Sequence, residues 1–168
     1  MTYSIRVIGG WQLLGPDGEA RVVRRPVARL LAFLALRGGI QQRALVAGSL
    51  WPDGCDHRAS SNLRSTLWHA RTEIEGVVEG DSSTVWLCPD VDVDLDRAMA
   101  TIRSSLCGST RHSLGLETLI DDVLPDWDEE WIWPVRFLHR QLRLQVLDRA
   151  IEQDFAMDES LATIALTR

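Results

Sequence analysis

Apolar and polar residues alternate with a period of two at the start of the chain. Ser4-Ile5-Arg6-Val7 sets Ile5 and Val7 on one side and Ser4 and Arg6 on the other, the pattern of a half-buried strand. Trp11–Leu14 is a second short apolar run, Gly15-Pro16-Asp17-Gly18 is a turn signal, and Glu19–Val23 reads as a returning strand. Together they predict a small antiparallel sheet. From Pro26 the period changes. Val27, Leu30, Leu31, Leu34 and Ala35 recur at helical spacing, and Pro26 suits the first helical position, where its missing N–H is harmless. Gly38-Gly39 stops this helix. A second, short helix is expected from Gln42 to about Leu50, with Leu45, Val46 and Leu50 on one face, ending in the turn Trp51-Pro52-Asp53-Gly54.

A third helix is expected from near Arg58 to about Glu75. Leu63, Leu67, Ala70 and Ile74 form one narrow apolar stripe along it. Two β-prone runs then flank Gly80-Asp81-Ser82-Ser83, which predicts a β-hairpin over Val77–Leu87. Pro89–Asp94 is extended and acidic, and a boundary there divides the chain into 1–91 and 92–168. Helical pattern returns over Leu95–Leu106. A polar loop is expected over Cys107–Ser113, a long amphipathic helix over Trp127–Phe155 broken near Pro134, and a short helix over Ser160–Thr167. No repeat of fixed period and no low-complexity tract interrupts this order.

Composition narrows the class. The 168 residues are 45% apolar, enough for a sizeable core. No apolar run reaches the roughly 18 residues of a membrane span. Met1–Arg6 lacks the charged-then-apolar plan of a signal peptide. Cys55, Cys88 and Cys107 are too few and too scattered for a disulfide framework or a zinc site, so a reducing cytoplasm is expected. The net charge of −6 argues superficially against a polyanionic partner, but its distribution argues the other way. Residues 1–75 carry a balance of +4 and residues 76–168 a balance of −10, and local field, not total charge, steers a polyanion. Every basic residue is arginine, whose planar fork binds two phosphate oxygens at once.

The third helix carries the functional argument. Opposite its apolar stripe lie Ser61, Ser65, Trp68 and Thr72, with Asn62, Thr66 and His69 on a flank and Arg58, Arg64 and Arg71 around it. No acid falls between Arg58 and Thr72, whereas a helix made only for solubility would mix glutamate with its arginine. A helix entering the major groove must keep carboxylates from phosphate and offer donors to base edges. Asn62, Arg64, Ser65, Thr66 and His69 are therefore the expected base readers. Arg43, at the start of the second helix, is an expected phosphate contact with Arg58 and Arg71. Arg24 and Arg25 are further candidates. The preceding short helix and tight turn make a helix-turn-helix, and the hairpin stands where a wing would follow.

Three stretches carry a family resemblance. They are Val27-Ala28-Arg29-Leu30-Leu31-Ala32-Phe33-Leu34-Ala35-Leu36, the Leu50-Trp51-Pro52-Asp53 turn, and Ser61-Asn62-Leu63-Arg64-Ser65-Thr66-Leu67-Trp68-His69-Ala70-Arg71. They resemble the DNA-binding domain of the Streptomyces antibiotic regulatory protein family (the AfsR/SARP group). Leu124-Pro125-Asp126-Trp127-Asp128-Glu129-Glu130-Trp131 and Arg140-Gln141-Leu142-Arg143-Leu144 are similar to the start of that family's bacterial transcriptional activation domain. The resemblance implies an α+β chain. An OmpR-type winged helix-turn-helix with a small antiparallel sheet would be followed by an all-α, tetratricopeptide-like partial domain. It implies a transcription activator of secondary metabolism that binds promoter-proximal repeats of double-stranded DNA and recruits RNA polymerase holoenzyme, with a homodimer as a further expectation. The third helix would be the recognition helix and Val77–Leu87 the wing. Two departures stand out: the wing is short and carries no arginine, and only about half of the activation domain is matched.

Other constellations carry less. Cys55-Asp56-His57 has no second ligand pair and reads as a cap before the third helix. Asp90, Asp92 and Asp94 lack the glycine and distal glutamate of a calcium loop. Asp126, Asp128, Glu129 and Glu130, close to Trp127, Trp131 and Trp133, read as a helix start. No phosphate loop or nucleophile elbow occurs, so neither an enzyme nor a cofactor is expected. The short wing, acidic second half and tryptophan cluster leave a rival reading: a protein-interaction module with weak or lost DNA binding.

Overall fold

In the computed structural model, residues 2–107 and 121–166 are described, with side chains through Arg149. The chain is mixed α+β, with two small sheets and, among the described residues, five α-helices. The expected loop over 108–113 lies outside the described residues.

The alternation at the N-terminus forms β1 (Ser4–Arg6), paired antiparallel with β2 (Gln12–Leu14). The expected third strand at Glu19–Val23 is reduced to one bridge, Leu14 to Ala20. The third strand of the sheet is instead Asp92–Val93, which pairs parallel with β1 on the side away from β2. Hence the sheet is mixed, in the order β2-β1-β6, with β6 the strand at Asp92–Val93. A two-residue acidic strand pairing 88 positions away leaves no local signal.

The first helix, α1 (Arg25–Arg37), is buried from Val27 to Leu36 except at Arg29, with Pro26 in its first turn. Gly38 and Gly39 both adopt left-handed φ (+63° and +59°), so a glycine pair is what ends it. The strand β3 (Gln41–Gln42) follows, then α2 (Arg43–Leu50), α3 (Asp56–Glu73), β4 (Val78–Gly80) and β5 (Thr84–Leu87). β3 pairs with β5 and β5 with β4, giving a second three-stranded sheet. In α2 the buried residues are Val46, Ala47 and Leu50, while Leu45 faces outward, contrary to the expected face.

Next come α4 (Asp94–Leu106), a 3₁₀ turn (Glu130–Ile132) and α5 (Trp133–Leu166). Pro134 sits in the first turn of α5 and breaks nothing. The helix begins at Trp133, not Trp127, and no separate helix forms at Ser160. The boundary expected at 91/92 falls inside continuous packing. Val93, Leu95, Val123, Leu124, Trp131 and Ile132 share one core with α1, α2 and α3. Asp94 fastens this seam, its carboxylate accepting the Val7 and Ile8 amides at 3.0–3.1 Å. Burial pushes its pKa up against those hydrogen bonds.

Candidate nucleic-acid interface

The stripe that holds α3 in the core is Ala59, Leu63, Thr66, Leu67 and Ala70, with Ile74 just beyond. α3 packs chiefly on α2, across the turn Trp51–Cys55. This leaves Ser61, Ser65, Trp68 and Thr72 exposed along the middle of the opposite face. Arg64 and Arg71, seven residues and two turns apart, lie along one flank; Asn62 and His69, also seven apart, lie along the other. No carboxylate stands on α3 between Asp56 and Glu73.

The expected base readers divide in three dimensions. Arg64 and Ser65 are exposed. Asn62 and His69 are half-buried and meet Arg24, Pro26 and Trp51 around a shallow cleft of about 300 Å³. Thr66 is 4% exposed, and its hydroxyl donates to the Asn62 carbonyl at 2.8 Å. It therefore cannot reach a base. The polar atom concealed its position: Thr66 lies between Leu63 and Ala70 on the inward side, where only its methyl group fits the stripe.

Arg24 lies 3.1 Å from the His69 Nε2, and Nδ1 faces the Glu73 carboxylate at 4.0 Å. Arg24 also pairs with Glu73 at 2.7 Å. Arg24 is thus tied to the helix flank. The indole of Trp68 meets the His69 ring edge-on, with centroids 4.8 Å apart.

The expected phosphate contacts also divide. Arg58 is exposed, beside the open groove that runs under Trp51 and Asn62. Arg43 donates to the Asp81 carbonyl at 2.8 Å and Arg71 to the Gly80 carbonyl at 3.2 Å. Both guanidiniums therefore lie against the tip of the β4–β5 hairpin and put positive charge where its own sequence has none. The tip is built for rigidity. Asp81 accepts from the amides of Ser83 and Thr84, both at 2.7 Å, and from both hydroxyls, which hold its pKa down at about 2. A side chain at Gly80 would stand 2.6 Å from the Thr84 carbonyl oxygen, so only glycine permits so close a turn.

No model of a known protein family matches the chain, and no curated protein matches it significantly.

The acidic clusters have structural work to do. Glu129 accepts a two-pronged ion pair from Arg29 at 2.7–3.0 Å and the Trp131 indole N–H at 2.7 Å. Asp92 accepts from Ser4 and Arg97. Asp122 is paired with Arg140 and Arg143, and those guanidiniums hold its pKa down. Among the described residues no group of three or more His, Cys, Asp or Glu side chains is arranged to hold a metal ion. None of the described helices is long and apolar enough to cross a membrane.

Proposed function

We propose that this chain is a sequence-specific DNA-binding transcription regulator of the Streptomyces antibiotic regulatory protein type. Its α2–turn–α3 unit is the helix-turn-helix and β4–β5 the wing of an OmpR-type winged helix. The observation that carries the reading is the outward face of α3: serine, threonine, tryptophan and arginine, free of carboxylate over its length, beside a hairpin tip that Arg43 and Arg71 flank. Such a face matches donors to base-edge acceptors and keeps negative charge from phosphate. Arg64 and Ser65 are the base readers, Arg58 grips phosphate, and Arg43 and Arg71 position the wing. α4 and α5, packed through Ile102, Leu142 and Val146, form the beginning of a tetratricopeptide-like activation domain that contacts RNA polymerase.

Equilibrium binding to duplexes from the upstream region of the chain's own gene tests the reading. Affinity falls by at least about tenfold between about 50 and 200 mM salt if several phosphates are engaged. No binding at the lower salt favours the protein-interaction module instead. The observation on that side is the exposed apolar side of α5, at Trp133, Phe137, Leu138 and Leu144.

A further inference from the structure

We infer that Trp68 is the thymine-reading residue of α3, an inference that rests on the DNA-binding reading above. Trp68 is 62% exposed, the largest side chain at the centre of the outward face. A lone exposed apolar residue needs no explanation, but two observations set this one apart, and a third leaves its donor open. It stands between Arg64 and Arg71 and one turn from Ser65 and Thr72, so the groups around it are hydrogen-bonding and cationic. Its indole packs edge-on against the His69 ring, with centroids 4.8 Å apart, and His69 in turn meets Arg24 at 3.1 Å. Its Nε1–H, like those of Trp11, Trp51, Trp127 and Trp133, makes no hydrogen bond among the described residues, so the donor stays open to an acceptor.

The chemistry of the indole selects the base. It offers an apolar ring and a single donor, and no acceptor. In the major groove thymine presents a methyl group beside the O4 acceptor and meets both features at once. Guanine presents acceptors without a methyl. Adenine presents an acceptor beside an amino donor. Cytosine presents an amino donor, which would face the indole N–H donor to donor. Thymine is therefore the best match and cytosine the worst.

Duplexes selected by the full chain from a randomised pool at low salt provide the test. Each thymine is replaced in turn by uracil, which removes the methyl and keeps O4. In a second series 5-methylcytosine, with guanine opposite, keeps the methyl and exchanges O4 for an amino donor. At one thymine per bound copy, uracil is expected to weaken the wild-type chain by about fivefold. W68A binds more weakly and is indifferent to uracil there. W68F, which keeps a ring and loses the N–H, still responds to the methyl but no longer prefers thymine over 5-methylcytosine. Circular dichroism checks that the variants fold, and W68F preserves the test if W68A does not. Wild-type indifference to uracil at every thymine, or full uracil sensitivity in W68A, overturns the role of Trp68 while DNA binding stands. Failure of the wild type to select any duplex overturns the DNA-binding reading itself.

Discussion

Arg29 and Glu129, one hundred positions apart, form a two-pronged ion pair that fastens α1 to the 3₁₀ turn before α5. Arg29 also donates to the Leu50 carbonyl at 2.7 Å, so one guanidinium joins α1, the end of α2 and the second half of the chain. Both side chains are mostly withdrawn from water, at 21% and 15% exposure. Removing one partner strands the other. E129A is expected to destabilise the fold by about 2–4 kcal/mol, and R29A combined with E129A by less than the sum of the single changes. Urea unfolding followed by tryptophan fluorescence measures both. Because Val93, Leu124 and Trp131 lie in the same core as α1, a single transition is expected for the wild type.

The imidazole of His139 is 0% exposed, and among the described residues neither ring nitrogen has a hydrogen-bond partner. Burial and the nearby Arg143 push its pKa down, against the opposing pull of Asp122 and Asp94. The unfolded chain therefore binds a proton near pH 6.5 that the folded chain resists. This contribution to stability is intact above about pH 6.5 and is lost as pH falls toward the lower folded value. Denaturation midpoints between about pH 7 and 5 should fall for the wild type and flatten in H139L. H139L should also gain about 1 kcal/mol at neutral pH, because it removes buried polar atoms without partners.

The hairpin tip has its own acid limit. The Asp81 carboxyl, held down at about 2 by the Ser83 and Thr84 amides, binds the turn in its charged form. That contribution is complete above about pH 4 and disappears as pH falls through about 2. A carboxyl resonance titrating near 2 in wild type checks the value. In D81A the amides of Ser83 and Thr84 should exchange faster with solvent, and DNA affinity should fall without a change in base preference.

Thr66 separates packing from reading on one helix. T66V keeps the volume and gives up only the hydroxyl bond to the Asn62 carbonyl, so sequence preference should match wild type. R64A should cost roughly 1–3 kcal/mol and loosen preference at one base position. Selection from a randomised duplex pool with each variant distinguishes the two.

Much of this was legible in the chain. The spacing of Leu63, Leu67 and Ala70 gave the inward side of α3, and Gly38-Gly39 gave the end of α1, because both signals are local. β3 and β6 were not legible, since two-residue strands take their partners from distant segments. Neither were the hydrogen bonds that Arg43 and Arg71 make to the hairpin tip. Arginine at a helix surface reads as a phosphate grip, and only the folded hairpin reveals carbonyl oxygens within their reach. Thr66 misled for the reverse reason, because its side chain satisfies its own hydroxyl within the helix.

The central claim is that α3 presents a reading surface to duplex DNA. Its most direct test is the affinity of the full chain for its selected duplex across about 50–200 mM salt, with R58A and R64A measured alongside. A steep fall with salt is predicted. R58A should lower the slope by about one while keeping base preference, and R64A should lose preference at one position. Salt-independent binding, or both variants behaving as wild type, would contradict it.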